Sequence, residues 1–231
     1  MIRIENTETY GWETAIRGMR NPMNSWDKSD SGYCGDIHCS DCPHEAEAKQ
    51  PGSYCIGRIT NFVVGKKDLQ LMQKLANAGT DHSKFLRMIT VTCDITAPRY
   101  WWAEMDTYKV GTVRNSCSTM HKIHSKEFTI NDFSHEKLVF DSSDYNFILG
   151  ETISTLNHLR EMYIETKEKD FWYAMIQLLP QSYNQRATMQ FNYQVLRNIR
   201  NSDRRNHKLD EWRIGFMDWI DSLPYAEELL K

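Results

Sequence analysis

No stretch of this 231-residue chain approaches the roughly 20 consecutive apolar residues that a membrane-spanning helix requires, so no membrane partner is expected. The start, MIRIENTETYGW, also lacks the apolar segment of a secretory signal, and a cytoplasmic location is expected. Net positive charge is absent as well: 28 Lys and Arg stand against 31 Asp and Glu, for a formal charge of −3. Binding a long nucleic acid depends on neutralising many phosphates, so no such partner is expected and any anion site must be local. Six cysteines are too few for a disulfide-stapled scaffold in a chain this long, and in a reducing compartment they remain thiols or ligate metal. Internal repeats and low-complexity tracts are likewise missing.

What is present is an ordinary globular balance, 40% apolar and 26% charged, long enough to bury a substantial core. We read one domain over residues 1–231 with a cysteine-rich insertion at about 24–57, where Gly, Ser, Asp and Cys are frequent and hydrophobic periodicity disappears. Met1 to Tyr10 suggests a strand and Trp12 to Met19 a helix. Leu69, Met72, Leu75 and Ala76 recur at helical spacing from Asp68 to the stop at Gly79. Ile89, Val91, Cys93, Ile95 and Ala97 alternate with polar residues and predict a half-buried strand. Pro98 ends it and opens a helix through Arg99 to Met105, after which Asp106 to His121 reads as a functional loop. The stretch onward to Asp144 has no defined pattern. Helices are predicted along Leu149, Ile153, Leu156, Leu159 and Tyr163, over Phe171 to Leu179, from Met189 to about Ile199, and along Leu209, Trp212, Phe216, Ile220 and Leu223 to near Pro224. The fold class is α+β, with a small antiparallel sheet and a helical C-terminal half.

The run from His82 to Ser118, HSKFLRMITVTCDITAPRYWWAEMDTYKVGTVRNSCS, resembles the core of the flavin-dependent thymidylate synthases. In that family a His-Ser pair precedes a strand, and an Arg then opens a helix leading to a loop of pattern R-H-R-x-x-S-x-N/Q-E/Q-x-S-x-R-Y. His82, Ser83 and Arg99 match the first features. Counting on without gaps places Glu104 where the family often has Gln, Thr107, Tyr108 and Lys109 on R-H-R, and Thr112 on the first Ser. One inserted residue brings Asn115 and Ser118 onto the Asn and second Ser. Further on, Leu179 and Pro180, Asn192, and Glu211, Trp212 and Arg213 follow the family's order, so the resemblance spans roughly Asp68 to Leu223.

The resemblance implies a homotetramer that binds FAD across subunits and transfers a one-carbon unit from methylenetetrahydrofolate to dUMP, with NADPH as reductant. The flavin carries the difficult chemistry and no cysteine nucleophile is required. We accordingly assign no catalytic side chain, and read Cys93 and Cys117 as packed thiols. For the nucleotide we assign Arg99, Glu104, Thr112, Arg114, Asn115 and Ser118: cations for phosphate, hydroxyls and amides for sugar and base. His82, Ser83, Tyr108, Lys109 and Asn192 are assigned to the flavin, and Gly111 allows close backbone approach. The departures are specific. Thr107 removes a guanidinium, Lys109 keeps only a point charge, and Thr119, Met120 and His121 stand where the motif ends in R-Y. A flavin-dependent thymidylate-synthase-like activity and a non-catalytic nucleotide-binding or nucleotide-sequestering role both follow. Arg197, Arg200, Arg204, Arg205, His207 and Lys208 form a basic run suited to phosphate, with Arg197 the leading candidate because it lies on the Asn192 helix.

The insertion carries Cys34, Cys39, Cys42 and Cys55 at spacing C-x4-C-x2-C-x12-C, with His38 and His44 nearby. Four thiolates form a closed tetrahedral zinc site, whose coordination energy would order a loop that lacks a core. The same thiolates suit an iron-sulfur cluster, a His can replace Cys55, and free thiols are the remaining alternative. Elemental analysis of the purified chain should return stoichiometric zinc, lost in Cys39→Ser; stoichiometric iron with visible absorbance, or no metal at all, would select against the structural zinc.

Overall fold

A computed structural model describes residues 2–33, 62–140 and 143–231. At its centre is an antiparallel pair. Strand β4, Thr90–Pro98, lies against β8, Asn184–Asn192, in unbroken register from Thr90 opposite Asn192 to Pro98 opposite Asn184. Strand β1, Arg3–Tyr10, flanks β4, with a register shift between Glu5 and Glu8. Strand β5, Val113–Ser116, flanks β8, which completes the order β1-β4-β8-β5. The α+β class therefore holds. Val91, Cys93, Ile95 and Ala97 of β4 and Ala187, Met189 and Phe191 of β8 are buried on one face. Thr92, Asp94, Arg186, Thr188 and Gln190 occupy the other, as a period of two requires.

Strand β8 corrects the helix expected from Met189. Asn192 is where strand becomes helix: its Oδ1 accepts a bond from the Val195 N–H at 3.0 Å and caps α7, Tyr193–Asn201. The helical periodicity of Val195 to Ile199 stops at that cap and gives way to the alternation of β8. Two short antiparallel pairs, β2 (Gly32–Tyr33) with β3 (Phe62–Val63) and β6 (Val139–Phe140) with β7 (Ser143–Asp144), stand apart from the main sheet.

The buried sheet face packs with α1 (Trp12–Arg20), α2 (Lys66–Asn77), α3 (Arg99–Met105) and α7 in one apolar core. A four-residue helix, α4, spans Thr119–Lys122, within the segment read as loop. Helices α5, Asn146–Thr166, and α6, Lys169–Leu178, form a hairpin with a second small core around Phe128, Phe133, Leu156 and Met175. The expected final helix is instead a π-helical turn, Glu211–Phe216, running into α8, Met217–Asp221, with α9, Ala226–Leu229, closing the chain. The wider turn lays Trp212 flat on Trp101, their centroids 5.0 Å apart. The predicted apolar positions Trp212, Phe216, Ile220 and Leu223 are all buried. No helix among the described residues is long and apolar enough to cross a membrane.

Residues 24–33, expected as the irregular start of the insertion, are tied down by a buried ion pair. Arg20 Nε and Nη2 lie 2.7 and 2.6 Å from Asp68 Oδ1, and both residues are buried. Asp68 Oδ2 accepts from the hydroxyls of Ser29 and Ser31, each at 2.6 Å, while Arg20 donates to the carbonyls of Ser25 and Lys28 at 3.1 Å. Every polar atom of the pair thus has work to replace its lost hydration. Asp68→Ala would leave the buried guanidinium unpaired and should cost about 3–5 kcal/mol, read as a lowered urea midpoint; an unchanged midpoint would show that the pair is not what holds this segment.

Candidate functional site

The segment after β4 carries most of the predicted site. Pro98 caps α3, the Arg99 N–H donates to the Tyr183 carbonyl at 3.0 Å, and its guanidinium reaches the Leu179 carbonyl at 3.5 Å. The loop from Asp106 to Thr112 follows. Thr107 Oγ1 donates to the Glu104 carbonyl at 2.8 Å, and the Thr112 hydroxyl donates to the Tyr108 carbonyl. Gly111 has φ +79°, and Asn192 Nδ2 donates to its carbonyl at 3.5 Å. A Cβ at Gly111 would lie 2.7 Å from that Nδ2 and 2.9 Å from Val195 Cγ2, so close backbone approach does require glycine here. Glu104 and Tyr108 both bind Arg204, at 2.9 and 2.8 Å. Lys109 is exposed and has no side-chain partner among the described residues.

Both terminal nitrogens of Arg114 are engaged within the chain, while its buried Nε has no hydrogen-bond partner among the described residues. Its Nη1 pairs with Asp106 at 2.7 Å, its Nη2 donates to Gln185 Oε1 at 2.9 Å, and its guanidinium lies 3.9 Å over the Trp102 ring. Asn115 is exposed on β5 opposite Thr188. Ser118 Oγ accepts from the His121 N–H at 3.0 Å and caps α4. There it borders a cleft of about 370 Å³ at the Asn184 end of β8.

Four cations line this cleft, Arg3, Lys122, Lys126 and Arg186, with Asp132 as the one lining carboxylate among the described residues. Phe128 and Tyr183 provide ring surface; Ser118, Thr119 and Gln185 provide hydroxyl and amide groups. Lys126 pairs with Asp132, and Arg186 reaches Asp94 at 2.8 Å, while Lys122 has no side-chain partner among the described residues. Hydrogen bonds from Thr188 at 2.6 Å, Asn6 at 2.8 Å and Arg186 hold the Asp94 carboxyl well below the usual carboxylate range. Burial raises the phenol of Tyr183. Such a lining suits a small anion carrying a planar ring. Of the predicted site residues only Ser118 borders it. Lys122, Lys126, Arg186 and Tyr183 were missed, although Arg186, Thr188 and Gln190 alternating with Ala187, Met189 and Phe191 carried the signal for β8.

Of the residues assigned to the flavin, Ser83 and Asn192 lie at the other end of β8, where the loop carrying Tyr108 and Lys109 meets Asn192 at Gly111. Ser83 is buried and donates to Gln194 Oε1 at 2.7 Å; His82 beside it is exposed. Asn192 is the cap of α7. From Gln185 to Asn192 the strand advances about 24 Å at ~3.4 Å per residue, so one chain holds the two groups well apart. Arg197 joins neither: it binds the Leu229 carbonyl at 2.6 Å and Asn77 at 2.8 Å. The expected basic patch is also divided, with Arg200 and Arg205 both on Asp221 at 2.6 Å.

Cys34, Cys39, Cys42 and Cys55 lie outside the described residues. Among the described residues no group of three or more His, Cys, Asp or Glu is placed to hold a metal ion. Cys93 is buried, and burial, reinforced by Asp94, pushes its thiol up to about 12. Cys117, read as a packed thiol, is instead exposed at the cleft, because it follows the end of the edge strand β5.

No protein-family model matches the chain, and no curated protein matches it in sequence. Two solved structures, both of the flavin-dependent thymidylate synthase of Helicobacter pylori with FAD and dUMP, share its fold. One has TM-score 0.64 and 17% identity, covering 99% of this chain and 97% of that one. The other has TM-score 0.65 and 16% identity, covering 100% and 97%. At this identity the likeness is one of fold.

The loop geometry gives a direct check. Gly111→Ala combines a left-handed backbone with a clash against Asn192, and should lower stability by about 1–2 kcal/mol, measured by thermal melting. A melt identical to the parent would mean that the loop does not approach α7 this closely.

Proposed function

We propose that this chain is a flavin-dependent thymidylate-synthase-like protein that binds a pyrimidine nucleotide and FAD, with one-carbon transfer to dUMP or a related nucleotide as its reaction. The observation that carries the reading is the nearly whole-length fold likeness to structures holding FAD and dUMP. The cationic cleft at Ser118 supports it, because a nucleotide monophosphate needs fixed cations, hydroxyl and amide donors, and ring surface together. Lys122 and Arg186 would take the phosphate, and Tyr183 and Phe128 would offer faces for the base.

The donor set at the opposite end of β8 fits the diphosphate of a dinucleotide: the Lys109 ammonium and the His82 imidazole are both exposed there. Bound flavin supplies hydride chemistry, and methylenetetrahydrofolate and NADPH complete the reaction as co-substrates. The protein's own residues bind, orient and exclude water. The separation of the two groups along β8 supports assembly from several copies, a homotetramer in which one subunit's cleft meets another's flavin group. A cytoplasmic setting belongs to the same reading.

One observation favours a second reading, a non-catalytic nucleotide binder on this scaffold. Glu104, Tyr108, Arg114 and Asn192 are already partnered within the chain, and Thr107 and Lys109 replace guanidinium groups.

An absorbance spectrum, mass spectrometry of extracted ligand and calorimetry with dUMP separate the two. The proposal expects a yellow protein that releases flavin on denaturation, and a dUMP affinity that falls about tenfold in Lys122→Gln and again in Arg186→Gln. A colourless protein that cannot be loaded with flavin yet binds dUMP selects the second reading. Loss of both bindings overturns both.

A further inference from the structure

Residues 104–112 are anchored in the core by Met105, with Tyr108 packed against it, but have few hydrogen bonds to distant side chains. The bonds of Thr107 to Glu104 and of Thr112 to Tyr108 lie within the segment, and Arg114 reaches back to Asp106 from the adjoining strand. Among the described residues, two side chains from distant parts of the chain hydrogen-bond the segment. Asn192 does so weakly, at 3.5 Å to the Gly111 carbonyl. Arg204, in the 3-10 turn Asp203–Asn206 that follows α7, does so strongly.

The Arg204 side chain is 18% exposed. Its Nε donates to Tyr108 Oη at 2.8 Å, and its Nη1 to Glu104 Oε2 at 2.9 Å. The same guanidinium plane lies 4.8 Å over Trp212 and 5.4 Å over Tyr108. Trp212 is fully buried and stacked on Trp101, so it offers a rigid platform. A planar fork with two divergent donors and an aromatic floor restrains its partners far better than a point charge on a flexible stem. Its neighbours do something else: Arg200 and Arg205 both go to Asp221.

We propose that Arg204 is the positioning residue of the 104–112 loop. It holds Glu104 and Tyr108 in place so that Lys109 and the loop backbone are presented in one arrangement. The inference rests on the nucleotide-and-flavin reading only for what the loop receives; the ordering of the loop is independent of any ligand. Because Arg204 is neutralised by Glu104, it acts through the loop and is not itself the anion ligand.

Hydrogen exchange on the full chain tests this without a ligand. Arg204→Gln should speed exchange of the hydrogen-bonded 106–108 amides about tenfold or more while β4 and β8 keep their protection. Arg204→Lys should restore only part of it, because an ammonium cannot bridge both oxygens and stack at once. Arg205→Gln, one residue along and bound to Asp221, should leave the loop as in the parent. Tyr108→Phe and Glu104→Gln each weaken one contact and should speed loop exchange by a smaller factor, which keeps the test open if Arg204→Gln fails to fold. Where the parent binds dUMP or FAD, Arg204→Gln should weaken that binding about tenfold. Parent-like loop exchange in folded Arg204→Gln, or in both Tyr108→Phe and Glu104→Gln, overturns the inference. A parent that binds neither ligand but whose loop loosens in Arg204→Gln removes the functional reading and leaves the positioning role standing.

Discussion

The pairing of β4 with β8 is the constraint on which the rest of the molecule depends. Nine residues of each strand are matched without a slip, one face of each is apolar, and the two flanking strands take their places from this pair. A shift of one residue would turn Val91, Cys93 and Ile95 to the polar face and Thr92 and Asp94 into the core, so register and burial enforce one another. The pairing also sets where helices leave the sheet. Chain α3 departs from the Pro98 end and α7 from the Asn192 end, which stand at opposite limits of the same ladder. The loop after α3 returns along the sheet to Gly111 beside Asn192, and β5 then runs back toward the Ser118 cleft. The stretch from Gly111 to Ser118 therefore runs along β8 from the Asn192 end to the cleft.

Charge in this protein is largely absorbed internally. Arg20, Arg114, Arg197, Arg200, Arg204 and Arg205 each have specific acceptors, several in buried or half-buried settings. A guanidinium with two or three fixed hydrogen bonds is a structural cross-link before it is an anion site, because releasing it would leave its partners unpaired. Lys109 and Lys122, with exposed and uncommitted ammonium groups, are the cations freer to meet a ligand. They lie toward opposite ends of β8, in keeping with the separation of the flavin and nucleotide groups.

The aromatic residues give the C-terminal half its rigidity. Trp101, Trp102, Trp212 and Phe216 interlock, with Arg204 lying over Trp212 and Arg114 over Trp102. This arrangement links the loop to the π-helical turn, two segments about a hundred residues apart in sequence.

Local patterning determined much of the architecture. Alternation marked β4, helical spacing marked α2 and α5, Pro98 marked the start of α3, and Trp212, Phe216, Ile220 and Leu223 of the last segment are buried as their periodicity required. The ordered series from His82 to Arg213 pointed to the fold that the solved structures share. Ser118 was picked out by the motif resemblance and Gly111 by its residue type; the fold puts the first at the mouth of the cleft and the second in a left-handed turn. Tertiary structure alone decided the rest. The strand β8 merged into the helix after it, since only the cap at Asn192 separates their two periodicities. The cleft draws on Arg3, Lys122, Lys126 and Arg186, which are distant in sequence and adjacent only because the strands pair. Whether an arginine is a ligand or a cross-link depends on which acceptors the fold brings within hydrogen-bonding distance, and no short-range pattern encodes that.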